Sequence, residues 1–376
     1  MKDKDVFYLE SPDLLEKDER IISWKNRNPQ GGAFVLLAEN NWNSIPSIQK
    51  VFQNLSLDVV GAVFPELIVD YGFKRSGLIV FLFPQMPSHK IIPNLTRDSS
   101  NISSSLEEIV SLDSPDKETL FLVFDSMVGS ISSILENIYM ELADEVNYLG
   151  VNAGSETFRP MACLFDSRDL VQDGVLAIAL RDHPGGVVEH GYRVPEKLRL
   201  ATATQGNRVI SIGLRMAYEV YQEILQEHYG VSLTKDNFYE NAVHFPFGII
   251  RANNEVMVRI PVQLEEDGSL FCVGEVPANE TLTVLKASDS DSPDTIMALK
   301  KKVFAEENPG YMLFYCAGRR MHLGDGANEE LSNLKDALEG SESYGALSLG
   351  EVGSTRQGDY PLFHNAALVL SPWKSL

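Results

Sequence analysis

Cysteine is scarce in this chain: Cys163, Cys272 and Cys316 are the only three among 376 residues, odd in number and far apart. They form neither a disulfide framework nor a CxxC metal knuckle, and a reducing compartment suits them. Long apolar runs are missing too. "GLIVFLF" (Gly77–Phe83) is strand-length, well short of the ~20 residues that a membrane helix requires. The opening "MKDKDVFYLESPDLLEKDE" lacks the apolar centre of a signal peptide, so a cytoplasmic protein without a membrane partner is expected. Basic side chains are outnumbered, 32 against 53 acidic, for a formal charge of −21. Such a surface repels phosphate backbones, which argues against nucleic acid as a partner. Several chemical signatures are also lacking. There is no GxxxxGK[ST], HExxH, GxSxG or CxxCH, and the seven histidines include no i,i+4 pair, so no dedicated metal site is expected.

What is there is a recurring α/β pattern. "AFVLLA" (Ala33–Ala38) reads as a buried strand, Ile45, Ile48, Val51, Phe52 and Leu55 line one helical face, and "LDVVGAVF" (Leu57–Phe64) reads as a second strand. The pattern returns with "TLFLVFD" (Thr119–Asp125), a face of Ile131, Ile134, Leu135, Ile138 and Leu142, and "VNYLGVNAG" (Val146–Gly154). A third occurrence runs from "YMLFYC" (Tyr311–Cys316) through Leu331, Leu334 and Leu338 to "YGALSLGEVG" (Tyr344–Gly353). Gly61, Gly150 and Gly350 mark corresponding places, and "GLIVFLF", "GVLAIAL" and "HNAALVL" follow as further strands. Strands joined through a helix are expected to lie parallel, and the following strand is free to return antiparallel. Between the first two units, Pro87–Glu118 reads as a long surface connection with a short helix. A helix bearing Leu214, Ala217, Tyr218, Tyr221, Ile224 and Leu225 should stop at Gly230, a natural C-cap. Val256–Val276 reads as a hairpin turning at Asp267–Gly268, and Ser292 as the N-cap of a helix reaching Phe304. The expectation is two α/β domains with mixed sheets, residues 28–240 and 241–373.

The segment "CAGRRMHLGDG" (Cys316–Gly326) concentrates the candidate chemistry. It is expected to form a loop at the carboxyl end of a strand, where open α/β sheets place ligands. Arg319 could grip a carboxylate, Glu351 accept from an ammonium and Asn365 fix orientation, a cup suited to a small zwitterion. In that reading Gly318 lets the backbone pass close to the ligand, Arg319 points inward, and Arg320 faces solvent or an acidic neighbour. The next helix should begin near Asn328. The rival reading makes Cys316 a nucleophile, with Arg319 and Arg320 lowering its pKa and His322 as the base. An Arg–Glu pair without a ligand fits the same spacing.

These residues carry a resemblance. "FPFGI", "DGSLFCVGEVPANETLTVL", "LFYCAGRRMHLG", "YGALSLGEV" and "HNAALVL" resemble, in order, a FIST (F-box and intracellular signal transduction) C-terminal domain. "LFLVFDSMVG", "YLGVNAGSE", "VQDGVLAIAL", "HGYR" and "ATATQGNRVISIGLRMAYEVY" resemble a FIST N-terminal domain. The matching positions are Cys316, Gly318, Arg319, Gly350, Glu351, His364 and Asn365. Two departures stand out: Val151 replaces a family glycine, and Tyr192 stands where tryptophan is common. The resemblance implies a non-enzymatic sensor that binds a small, amino-acid-like ligand and regulates a signalling partner such as a histidine kinase. Cys316, Gly318, Arg319, Glu351, His364 and Asn365 would be its ligand-binding set. Some stand-alone bacterial members are haem proteins that sense nitric oxide, so haem b is the alternative cofactor. An axial ligand would then come from His190, His244, His322 or His364.

Overall fold

The computed structural model describes residues 5–111, 117–192, 199–251, 255–286, 291–303, 310–353 and 360–373. The first unit begins with the strand Gly32–Ala38, buried along its whole length, as an uninterrupted apolar run requires. Helix Ile45–Asn54 carries Pro46 in its first turn, where a missing N–H is tolerated, and buries Ile45, Ile48 and Phe52. The strand Asp58–Phe64 then pairs parallel to the first, and Leu78–Phe83 returns antiparallel on its other side. The second unit repeats this with Thr119–Asp125, helix Ile131–Leu142, Asn147–Ala153 and the returning Gly174–Leu180. The third does so with Gly310–Cys316, helix Gly326–Ala337, Ser343–Ser348 and Leu368–Trp373. The fold is α/β with mixed sheets.

One glycine recurs for a reason of close packing. Gly61, Gly150 and Gly345 each sit on the second strand, opposite Val35, Leu122 and Leu313 of the first. A Cβ there would meet the carbonyl oxygen of that neighbour, at 2.7 Å for Gly61 and 2.5 Å for Gly150, with a worse collision at Gly345. The third unit's equivalent is therefore Gly345, not Gly350, which follows the strand at φ 154°.

The three units are laced together. Each sends out a hairpin after its second strand, and each hairpin joins a different unit's sheet. Leu67–Val69 with Gly72–Lys74 extends the third unit through Ser343–Ser348. Leu164–Asp166 with Leu170–Val171 extends the first through Asp58–Phe64, and Glu351–Gly353 with Leu362–His364 extends the second through Asn147–Ala153. A further strand (Val6–Leu9, His89–Pro93 or Val187–Glu189) flanks each returning strand, so among the described residues three six-stranded sheets share one order. Their inner faces meet in a common core, where Phe121 packs 5.7 Å from Phe34 and 6.0 Å from Phe314 between ring centres. An eight-stranded, wholly antiparallel sheet between residues 199 and 284 interrupts the third unit ahead of its first strand.

Several local expectations need correction. The connection after Pro87 contains the short helix Ile102–Glu107 but also the strand His89–Pro93, held by Gly174–Ile178. Leu214 is 87% exposed in a turn ahead of helix Ala217–Tyr229, although that helix does stop at Gly230 with φ 68°. The hairpin at Gly268 joins Pro261–Leu264 to Leu270–Cys272, while Val256–Arg259 pairs instead with Phe247–Ile250. The helix assigned to start after Ser292 runs Asp291–Lys302, and Phe304 lies outside the described residues.

Candidate functional site

The chain does not loop after Cys316. It enters helix Ala317–Leu323 directly, with Cys316 in extended conformation at its cap, and reverses at Gly324, φ 56°. The next helix starts at Gly326, two residues ahead of Asn328. A loop was expected because glycine and paired arginines follow a strand. Gly318 serves packing instead: a Cβ there would lie 2.5 Å from Ile260 Cδ1.

Arg319 is buried against Glu330 on the following helix. Its Nε and Nη2 donate to the two carboxylate oxygens at 2.8 and 2.6 Å, a bidentate pair. Nη1 donates to the His190 carbonyl at 2.8 Å, and Tyr315 Oη donates to the same carboxylate at 2.5 Å. Burial opposes the guanidinium's charge, and Glu330 outweighs it. This side chain is fully engaged by the protein.

Cys316, Glu351, His364 and Asn365 do come together. Glu351 is paired with His364 across the third hairpin, and its carboxyl accepts from Ser348 Oγ at 2.6 Å. Burial pushes Glu351 up to about 8, despite hydrogen bonds from Ser348 and Cys316. The Cys316 thiol accepts from the Ala366 N–H at 3.1 Å. Its pKa is raised, first by burial and then by Glu351, the opposite of what a thiolate nucleophile needs. His364 is wholly buried, burial lowers its pKa well below the usual value, and neither ring nitrogen meets a hydrogen-bond partner among the described residues. Asn365 Oδ1 accepts from the Ile260 N–H at 3.2 Å.

A cavity of about 390 Å³ opens in front of this cluster. Cys316, Gly318 and Asn365 reach its wall, whereas Arg319, Glu351 and His364 are not among its lining residues. Ile260, Met321 and Leu349 supply apolar surface, and Tyr239 presents a hydroxyl whose pKa burial pushes up to about 12. Arg320, also on the wall, pairs with Glu66 at 2.9 Å and Glu156 at 2.8 Å. It thus meets the acidic neighbours expected of it, and those neighbours follow the second strands of the first and second units. Tyr239 and Glu156 escape sequence reading because they lie far along the chain from Cys316. Periodicity carries no signal for such a meeting.

Haem would need an axial histidine, and no histidine lines this cavity. His190 Nε2 donates to the Val256 carbonyl, its Nδ1 accepts from the Tyr192 N–H, and burial lowers its pKa to about 4. His244 and His322 face each other, Nδ1 to Nδ1, at 2.6 Å. The residues around the cavity do not fit the group. Among the described residues no helix is long and apolar enough to cross a membrane.

Comparison with known families covers much of this arrangement, with His364 and Asn365 beyond the matched residues. The sequence matches the FIST N domain over residues 38–215 and the FIST C domain over residues 217–354. No curated protein matches the chain.

Proposed function

Because the chain belongs to the FIST family, whose domains are sensors of signal transduction, we propose that the cavity beside Cys316 is its sensory site. The ligand is a small amphiphile of amino-acid type, and the readout is a signalling partner such as a histidine kinase. One observation carries this reading: a largely apolar cavity at the carboxyl end of the third unit's first strand, with a guanidinium, a carboxylate and a phenol converging on it. Arg320 takes the ligand's carboxylate, Glu156 its ammonium, and the apolar wall its side chain. Arg320 also ties together residues from all three units. A ligand that competes for it alters contacts among the units, which gives the bound state a structural expression. Cys316 and Asn365 shape the wall, and Gly318 keeps it open. Glu351 and His364 lie behind, and Arg319 positions the helix through Glu330.

A thermal-shift screen of leucine, methionine and phenylalanine tests the site, since a ligand selective for the folded state raises the melting temperature with concentration. Arg320→Ala should weaken the response by about tenfold or more, the worth of a charge-assisted contact. No shift at millimolar ligand, or a shift unaltered in Arg320→Ala, would refute the assignment.

A further inference from the structure

A second cavity, of about 550 Å³, lies on the far side of the wall that bounds the first. Ile260 faces the first cavity and Arg259 the second, as successive side chains of an extended chain must diverge. Arg259 is wholly buried. Its guanidinium donates to the carbonyls of Glu275 (2.9 Å), Val258 (3.0 Å) and Phe363 (2.7 Å) and to Ser132 Oγ (3.0 Å). All of these acceptors are neutral. Among the described residues no carboxylate pairs with it directly, and Glu275 only favours its charge from a distance, an arrangement that costs several kcal/mol unless something compensates. Burial lowers the group only to about 10, which leaves it charged at neutral pH.

Three carboxylates line this cavity, Glu136, Glu275 and Glu280, and the last two are occupied elsewhere. Glu275 accepts from the Ser133 N–H and hydroxyl at 2.9 and 2.6 Å, on the first turn of helix Ile131–Leu142. Glu280 pairs with Arg251 at the rim, at 3.3 Å. Ser132 behaves differently. Its oxygen accepts from Arg259, and no described residue accepts its own hydroxyl hydrogen. That O–H is polarised by the guanidinium behind it and borders the cavity.

We propose that this second cavity binds a small organic carboxylate, whose oxygens accept from the Ser132 hydroxyl and from Arg251 above the buried charge of Arg259. The site is separate from the sensory cavity but shares its wall. Arg259 holds the Phe363 carbonyl, and Asn365, two residues on, holds the Ile260 N–H.

Isothermal titration of the full chain with succinate, at ionic strength held constant by chloride, tests the proposal. Saturable binding is expected, weakened about tenfold by Ser132→Ala and likewise by Arg251→Ala, each of which removes one donor. Arg251 stands at the rim, so its variant tests the site without disturbing the buried guanidinium. Unchanged affinity in either variant overturns the proposal. So does loss of succinate binding in Arg320→Ala, which would put the carboxylate in the first cavity.

Discussion

Arg319 and Glu330 show how a residue's neighbours decide its role. Both side chains are nearly inaccessible, and the pair is bidentate. Removing one partner strands the other's charge, so Arg319→Ala or Glu330→Ala should cost about 3–5 kcal/mol, read by urea unfolding. A loss below ~1 kcal/mol, the range of exposed pairs, would contradict the burial. Glu351 makes a second case. Its folded pKa, about 8, lies above the ordinary 4.5, so the folded state holds a proton that the unfolded state has released between those values. Its contribution is complete below 4.5 and is lost as pH rises through 8. Buried His190, lowered to about 4, acts oppositely, losing its contribution as pH falls from 6.5. Melting temperatures from pH 6.5 to 8 should therefore fall in the native protein, with the slope flattened in Glu351→Gln. An equal slope in both would remove Glu351 as the cause.

At the scale of elements, Gly318 controls the space between helix Ala317–Leu323 and the strand end at Ile260. Gly318→Val forces Ile260 into the cavity, so ligand response should vanish while far-ultraviolet circular dichroism stays native. Gly345→Ala should behave quite differently, because its Cβ meets rigid backbone of the adjacent strand, and the protein should fail to fold at 37 °C. Soluble, stable Gly345→Ala protein would show that the two strands can part. The strand–helix–strand units were legible because each strand is a continuous apolar run and each helix keeps a single apolar face. The helix after Cys316 was not. Its seven residues hold two arginines, a glycine and a histidine, with no apolar face to announce a helix, and the partners of Arg319 and Arg320 (Glu330, Glu66 and Glu156) lie elsewhere in the chain. The meeting of Cys316, Glu351 and Asn365 at strand ends was legible, but Arg319 does not join it. Glu330, which claims the arginine, sits eleven positions on in another helix, beyond what spacing can signal. Arg259 left a fainter mark, a lone charge inside the apolar run "VMVRIPV".

Across the whole molecule, the exchanged hairpins bind the FIST N and FIST C regions into shared sheets. The Leu67–Val69 hairpin rests on Ser343–Ser348, and Asn147–Ala153 on Glu351–Gly353. A fragment of residues 1–216 keeps both matching strands of two units but loses these partners, which leaves buried strand edges unpaired. It should aggregate or elute as mixed oligomers in size-exclusion chromatography. A monomeric fragment with one cooperative unfolding transition would show that the exchange is dispensable.

The same lacing has a consequence for birth at the ribosome. Synthesis is vectorial, and the second sheet receives its closing hairpin about two hundred residues after its own strands emerge, a separation that slows assembly. The first unit can close early, since Leu164–Asp166 soon follows. The second must wait, its open edge exposed to every other nascent chain nearby, until Glu351–Gly353 and Leu362–His364 have been made.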